Sequence, residues 1–288
     1  MVIEEGRGGK AAACRALGLC RGSFYAGSRA SLESRRLRKE IIDLSHEHPR
    51  YGYRRITALL RKAGWEVNAK RVQRVRREEG LQVSRKLRKM RRSGTSTAQR
   101  QRASHANHVW SWDFVEDQTE NGGRFRMLTI LDEYTREWLH FHLDHSICAV
   151  DVIRELEKAM AIYGSPEHIR SDNGPEFIAY AVQDWLQEKK VGTIYITPGS
   201  PWENGHIESF HGKIQDECLK REIFGNRAEA RVVIGTYRCE YNQQRPHSSL
   251  GYQTPEEFAA RALPALRPTA SAPSEHVNNI NQRTDLYF

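Results

Sequence analysis

"VWSWDFVEDQTENGGRFRMLTILDEYTREWLHFHL", residues 109–143, decides how the rest of this chain is read. Three runs rich in aromatic and β-branched residues, 109–116, 125–132 and 136–143, are separated by a Gly-Gly turn at 122–123 and a short turn at 133–135. Runs of this kind between turn signals read as strands, and such short connections join antiparallel neighbours. The pattern then changes period. It predicts a helix over about 146–163, a strand ending near Ser171, a helix near 176–190, a strand at 192–197 and helices at about 203–223 and 227–241. Hairpin-linked strands followed by alternating helices and strands predict an α/β fold: a mixed five-stranded sheet with flanking helices.

Upstream, the composition shifts. Residues 1–106 hold 27 Lys/Arg against 9 Asp/Glu, and residues 107–288 hold 18 against 27, so net charges of +18 and −9 combine to the overall +9. A cationic module that meets a polyanion is thus joined to one with a carboxylate surplus. Residues 1–30 read as a weak helix-turn-helix, from "GKAAACRALG" and "RGSFYAG". Residues 31–83 read as a basic helical DNA-binding domain. Its first helix, 31–47, has Leu32, Ile41, Ile42 and Leu44 as apolar positions, and two more follow, the first stopped by Gly64 and the second capped by Asn68. Arg54, Arg55, Lys70, Arg71, Arg74, Arg76 and Arg77 fall on the non-apolar faces and are expected to contact phosphates of double-stranded DNA. Residues 84–107 are a basic linker without apolar periodicity, 108–261 hold the sheet and its closing helices, and the Pro/Ser/Asn-rich stretch 262–288 is expected to be a flexible tail.

No run reaches 18 apolar residues and the N-terminus lacks an apolar signal core, which points away from a membrane and toward the cytoplasm and nucleoid. The five cysteines, an odd number without metal-site spacing, are expected to be reduced thiols.

Three carboxylates carry the chemical reading. Asp113 lies within an aromatic strand, where its desolvation asks for a partner. Asp172 follows a strand at the carboxyl end, where open sheets place their sites, and Glu208 sits on the helix after "TPGSPWENGH". Taken singly, each has a plain alternative: Asp113 paired with an Arg, Asp172 capping a turn, Glu208 facing solvent. Taken together, three carboxylates are a hard oxygen donor set that can hold two Mg2+ ions, with Mn2+ as a substitute, for in-line displacement at a phosphodiester.

From about 107 to 260 the chain resembles the integrase catalytic core of insertion-sequence DDE transposases. "WSWDFVE" is similar to the segment of the first catalytic Asp, "RSDNGPEF" to the second, "GSPWENGHIESFHGKIQDECL" to the Glu helix and "YRCEYNQQRPHSSLGYQTPEEF" to the closing signature. "YGYRRITALL" resembles the helix-turn-helix that precedes such cores. The resemblance implies a ribonuclease H-like fold, with Asp113, Asp172 and Glu208 as catalytic metal ligands. It implies DNA cleavage and strand transfer at terminal inverted repeats and target DNA, by a homo-dimer or higher oligomer. An upstream-frame protein or frameshift fusion is a further implied partner. Around the triad, Asn173 and Asn204 are candidate substrate contacts, with turn bonding and helix capping as their alternatives; Gly174 and Pro175 shape the turn. Lys213 reads either as a DNA-backbone contact or as surface, Arg245 and His247 either as DNA-positioning groups or as loop hydrogen bonding, and His206 and His211 do not complete a zinc set. Two rival functions stand beside the transposase: a ribonuclease H-like nuclease that cuts without joining, and a transposase-derived DNA-binding protein without catalysis.

Overall fold

The computed structural model describes residues 14–18, 20, 32–83, 102–171, 174, 176–177, 179–195 and 205–262. Most of the expected first helix-turn-helix, most of the linker, the tail, and Asp172, Asn173, Pro175 and Asn204 lie outside the described residues. The chain divides into two units, Met1–Arg91 and Arg92–Phe288.

In the first unit, helices α1 (Leu32–Glu47), α2 (Tyr53–Lys62) and α3 (Ala69–Glu78) bury Leu37, Ile41, Tyr51, Ile56, Leu60, Val72 and Val75 against one another. The stops work as the sequence predicts. Gly64 takes φ +88°, and the Asn68 side chain accepts a hydrogen bond from the Lys70 amide at 2.9 Å, capping α3. Leu32 departs from expectation. It is exposed, and the buried stripe of α1 is Leu37, Ile41 and Ser45, spaced four apart, with the Ser45 hydroxyl satisfied by the Ile41 carbonyl at 2.6 Å.

In the second unit, five strands stand in the order β3-β2-β1-β4-β5. Strands β1 (Val109–Gln118), β2 (Arg124–Asp132) and β3 (Trp138–Asp144) form the antiparallel meander, whereas β4 (His168–Ser171) runs parallel to β1 and β5 (Gly192–Tyr195) parallel to β4. Both glycines of the first turn are needed. Gly122 has φ +77°, and a Cβ on Gly123 would stand 2.9 Å from the Thr119 hydroxyl.

Alternation along the strands splits the core into two layers. Trp110, Trp112, Leu128, Ile130 and Leu139 pack with α4 (Ala149–Tyr163) and α5 (Tyr180–Glu188) on one face. Val115, Phe125, Met127, Leu131 and Trp138 pack with α6 (Gly205–Ile214) and α7 (Arg227–Gln243) on the other. Three features stand out against the sequence reading. Helix α5 starts at Tyr180, because Phe177 leaves the helical path to stack on Trp112 and Phe114 at 4.6 and 4.9 Å. The long helix expected over 203–223 is α6 followed by a π turn, Gln215–Leu219. A short helix, α8 (Pro255–Ala262), closes the described chain, with Thr254 and Glu257 bonded reciprocally at its start.

Candidate catalytic site

Asp113 projects from β1 onto the face covered by α6. Its neighbours Trp112 and Phe114 point to the opposite face, where Phe177 stacks on both. The carboxylate is part-exposed. Its Oδ1 accepts the Phe114 amide hydrogen at 2.7 Å, and its Oδ2 lies 3.5 Å from Nδ1 of His211 on α6. The other ring nitrogen of His211 bonds the Thr129 hydroxyl at 2.8 Å, and that hydroxyl donates to the Asp113 carbonyl at 3.0 Å. Burial pushes His211 down to about 4, so near neutrality it is an uncharged imidazole. Asp113 therefore stands beside a neutral neighbour. Its partners include a histidine and a backbone amide, where the plain sequence alternative foresaw an Arg.

Glu208 is exposed and sits three residues before His211. That spacing puts both side chains on one helical face, roughly 5–6 Å apart at Cβ. The apolar residues Ile207, Phe210 and Ile214 seat α6 in the core, with His211 half-buried against β1 and Glu208 exposed. His211 carries one signal legible in the sequence, its i+3 spacing from Glu208.

Lys213 bends back on its own helix, with its ammonium bonding the Ser209 carbonyl and hydroxyl at 3.0 and 2.8 Å. Arg245 and His247 are buried. The Arg245 guanidinium forks onto Glu217 at 2.6 and 2.7 Å and reaches His247 at 3.1 Å. Burial opposes its charge, but the Glu217 carboxylate outweighs burial and holds its pKa above the usual arginine value. These contacts fit the loop hydrogen-bonding alternative, since a group enclosed this way presents no open face to a phosphate.

In the first unit, Arg54, Lys70, Arg71, Arg74 and Arg77 are exposed and Arg55 is half-buried over the Tyr51 ring. Arg71 bonds Ser34 at 3.0 Å, and Arg74 stands 3.9 Å from Glu78. Arg76 differs from the set. It is buried, donating to the Tyr51 and Leu81 carbonyls at 2.7 and 2.8 Å, and burial lowers its pKa. A guanidinium committed to two internal carbonyls holds the helices together instead of facing DNA.

A group with metal-binding capacity lies at the starts of β1 and β4. Ligand atoms of His108, Glu167 and His168 fall within 4.8 Å of one another, and Nδ1 of His168 is buried without a hydrogen-bond partner. His105 bonds Glu167 at 2.7 Å, and the Ser104 amide donates to Nδ1 of His108 at 3.0 Å. Imidazole donors suit transition metals better than Mg2+, which prefers oxygen.

Sequence and fold comparisons agree with this architecture. Integrase core domain models match residues 103–201 and 189–255, and an HTH-like domain model matches residues 33–89. The chain is 40% identical over 264 residues, 91% of its length and 93% of the relative's, to the insertion element IS407 uncharacterized 31.7 kDa protein of Burkholderia multivorans. It is 26% identical, over 85% of its length and 91% of the relative's, to the putative transposase InsK for insertion sequence element IS150 of Escherichia coli. Among solved structures, a chain of the simian T-cell lymphotropic virus intasome in complex with PP2A regulatory subunit B56 gamma superposes with a TM-score of 0.50 at 17% identity, covering 82% of this chain and 78% of that one. A helical unit matched by an HTH-like model, followed by a mixed five-stranded sheet matched by integrase core models, defines a polynucleotidyl transferase of the integrase-core class. The chain belongs to the DDE transposase family of insertion elements, enzymes that act on DNA. Among the described residues, no helix is long and apolar enough to cross a membrane.

Proposed function

We propose that this protein is the transposase of its element: it binds terminal inverted repeats in double-stranded DNA, cleaves a phosphodiester and transfers the resulting 3′ end to target DNA. Asp113, Asp172 and Glu208 are the catalytic carboxylates in this reading, and they hold Mg2+, as two ions, with Mn2+ able to substitute. The observation that carries it is the approach of α6 to β1, with His211 3.5 Å from Asp113 and Glu208 one turn away on the same face. Asp172 lies next in the chain after Ser171, the last residue of β4, whose register with β1 runs Val109–His168, Trp110–Ile169, Ser111–Arg170. Five residues beyond Asp172, Phe177 stacks on the two side chains that flank Asp113. Described residues before and after it, Arg170 and Phe177, both contact β1.

The donors fit the ions: carboxylate oxygens are hard ligands, and Asp113 is part-exposed beside a neutral imidazole. When bound, the ions would activate the attacking oxygen and stabilise the leaving 3′ oxygen. The chain's own part is positional. Thr129 and His211 hold the Asp113 strand and α6 together, and exposed cations of the first unit attract the duplex. Asn173 and Asn204 are assigned to substrate contact at the same edge, and Gly174 and Pro175 to the turn that carries it. Two element ends processed in one event call for a homo-dimer or higher oligomer on nucleoid DNA in the cytoplasm, with an upstream-frame fusion as a further partner.

The test is a reaction of the full chain with labelled element ends and Mg2+ or Mn2+. Cleaved and joined products are expected. Hydrolysis without joining would leave the nuclease reading, and binding without either product would leave the DNA-binding one.

A further inference from the structure

The Glu208 helix does not end as an ordinary α-helix. Its last turn widens into the π segment Gln215–Leu219, in which three consecutive residues, Glu217, Cys218 and Leu219, are buried. An α-helical stripe buries one or two neighbours in such a run, and a regular helix would put Glu217 about 180° around from Glu208. π insertions are rare and concentrate at functional sites. The regular period already carries the stripe of Ile207, Phe210 and Ile214 on to Glu217, and the π turn adds Leu219 to the buried side.

There the Glu217 carboxylate meets a dedicated set of partners. Arg245 grips both oxygens of Glu217 at 2.6 and 2.7 Å, and the Tyr237 hydroxyl donates to Oε2 at 3.1 Å. Arg245 in turn contacts His247 at 3.1 Å and lies 5.4 Å from the centre of the Tyr241 ring, while His247 meets that ring edge-on at 4.8 Å. Neither charged partner is more than 8% exposed. Tyr237 and Tyr241 belong to the same aromatic cluster as Trp138 and Phe210, so the ion pair is embedded in the layer that seats α6.

Replacing a buried ion pair with apolar groups is often neutral or stabilising, so stability alone gives weak grounds for this one. Directionality gives better grounds. The apolar contacts of Ile207, Phe210 and Ile214 set how deep α6 sits, but hydrophobic burial is non-directional and does not fix how the helix rolls or slides. A bidentate guanidinium–carboxylate fork fixes both. We propose that Glu217 and Arg245 are positioning residues that set the roll and axial register of α6, so that Glu208 and His211 face Asp113. The inference rests on the reading of Asp113 and Glu208 as metal ligands.

The test uses the full chain carrying R245K, which keeps the charge and removes the fork, with E217M/R245M as a second variant that removes the fork and leaves no uncompensated buried charge. Two quantities are measured: Mn2+ affinity by electron paramagnetic resonance without DNA, and the Mg2+ concentration giving half-maximal end cleavage. Both are expected to weaken about tenfold in R245K, the range seen when residues supporting metal ligands are removed, with duplex affinity unchanged. Values for a folded variant indistinguishable from the unsubstituted chain would overturn the proposal; should R245K fail to fold, the neutral pair decides it. An unsubstituted chain that neither binds Mn2+ nor cleaves would instead refute the metal-site reading.

Discussion

The two units solve opposite problems. In the helical unit the groups assigned to DNA are mostly exposed cations spread over helices α2 and α3, and their task tolerates imprecision because phosphates are many and water screens each interaction. In the sheet unit the proposed chemistry rests on a few acids, Asp113 part-buried and Glu208 exposed among them, and their task depends on ångström-scale placement. Arg76 and Glu155 mark the contrast from each side. Arg76 is a cation of the first unit withdrawn from the surface to tie Tyr51 to Leu81, and Glu155 is an acid of the second held inside by His140, His142, Arg154 and Lys158. What a charge does here is set by its burial and partners, not by the unit's net sign.

The largest effect that could break this comparison is expected at the acids. D113N or E208Q should lower end cleavage and strand transfer by roughly a thousandfold or more, since a metal supplies several kcal/mol and each 1.36 kcal/mol is tenfold in rate. Duplex affinity should hold. Near-normal turnover in either variant, measured beside a binding isotherm, would remove that residue from the site.

A smaller effect concerns Glu155, which should matter for stability alone. Burial opposes its ionisation, but Lys158, His140, His142 and Arg154 together outweigh burial and hold its carboxyl down at about 2. A depressed acid stabilises the fold above its unfolded value, near 4.5, and that contribution disappears as pH falls toward 2. His140, lowered by burial, acts with the same sign. Urea unfolding of E155Q against the unsubstituted chain should differ by about 2–3 kcal/mol at pH 7 and converge at acid pH. A gap that persists unchanged to pH 2 would mean that the carboxylate's charge is not what stabilises.

The smallest effect per residue is expected in the helical unit. Reversing Arg54, Arg71 and Arg74 together should weaken duplex binding and flatten its salt dependence by about 0.9 in slope for each phosphate that is no longer neutralised. R76Q should behave differently, lowering the thermal midpoint of the unit with the salt slope unchanged. Identical behaviour of all four arginines would erase the distinction between buried and exposed cations.

Much of this was legible along the chain. Strand alternation, the Gly-Gly turn and the Asn68 cap are local devices, set by neighbours within a few residues, and each stands where the sequence predicts. The carboxylates were legible as residue types, because an acid among aromatics requires a partner wherever it lies. Leu32, Phe177 and the π turn were not, since each answers to side chains distant in sequence.

By itself, then, the amino-acid order determined the elements, their order and the charge division, which follow from periodicities of two and 3.6 and from turn chemistry. Only the tertiary structure decided that His211 would stand beside Asp113, that Arg76 would face inward, and that Arg245 would close on Glu217 instead of offering itself to DNA. The physical reason is common to all three. A charged side chain takes its role from the dielectric and the partners around it, and packing creates both.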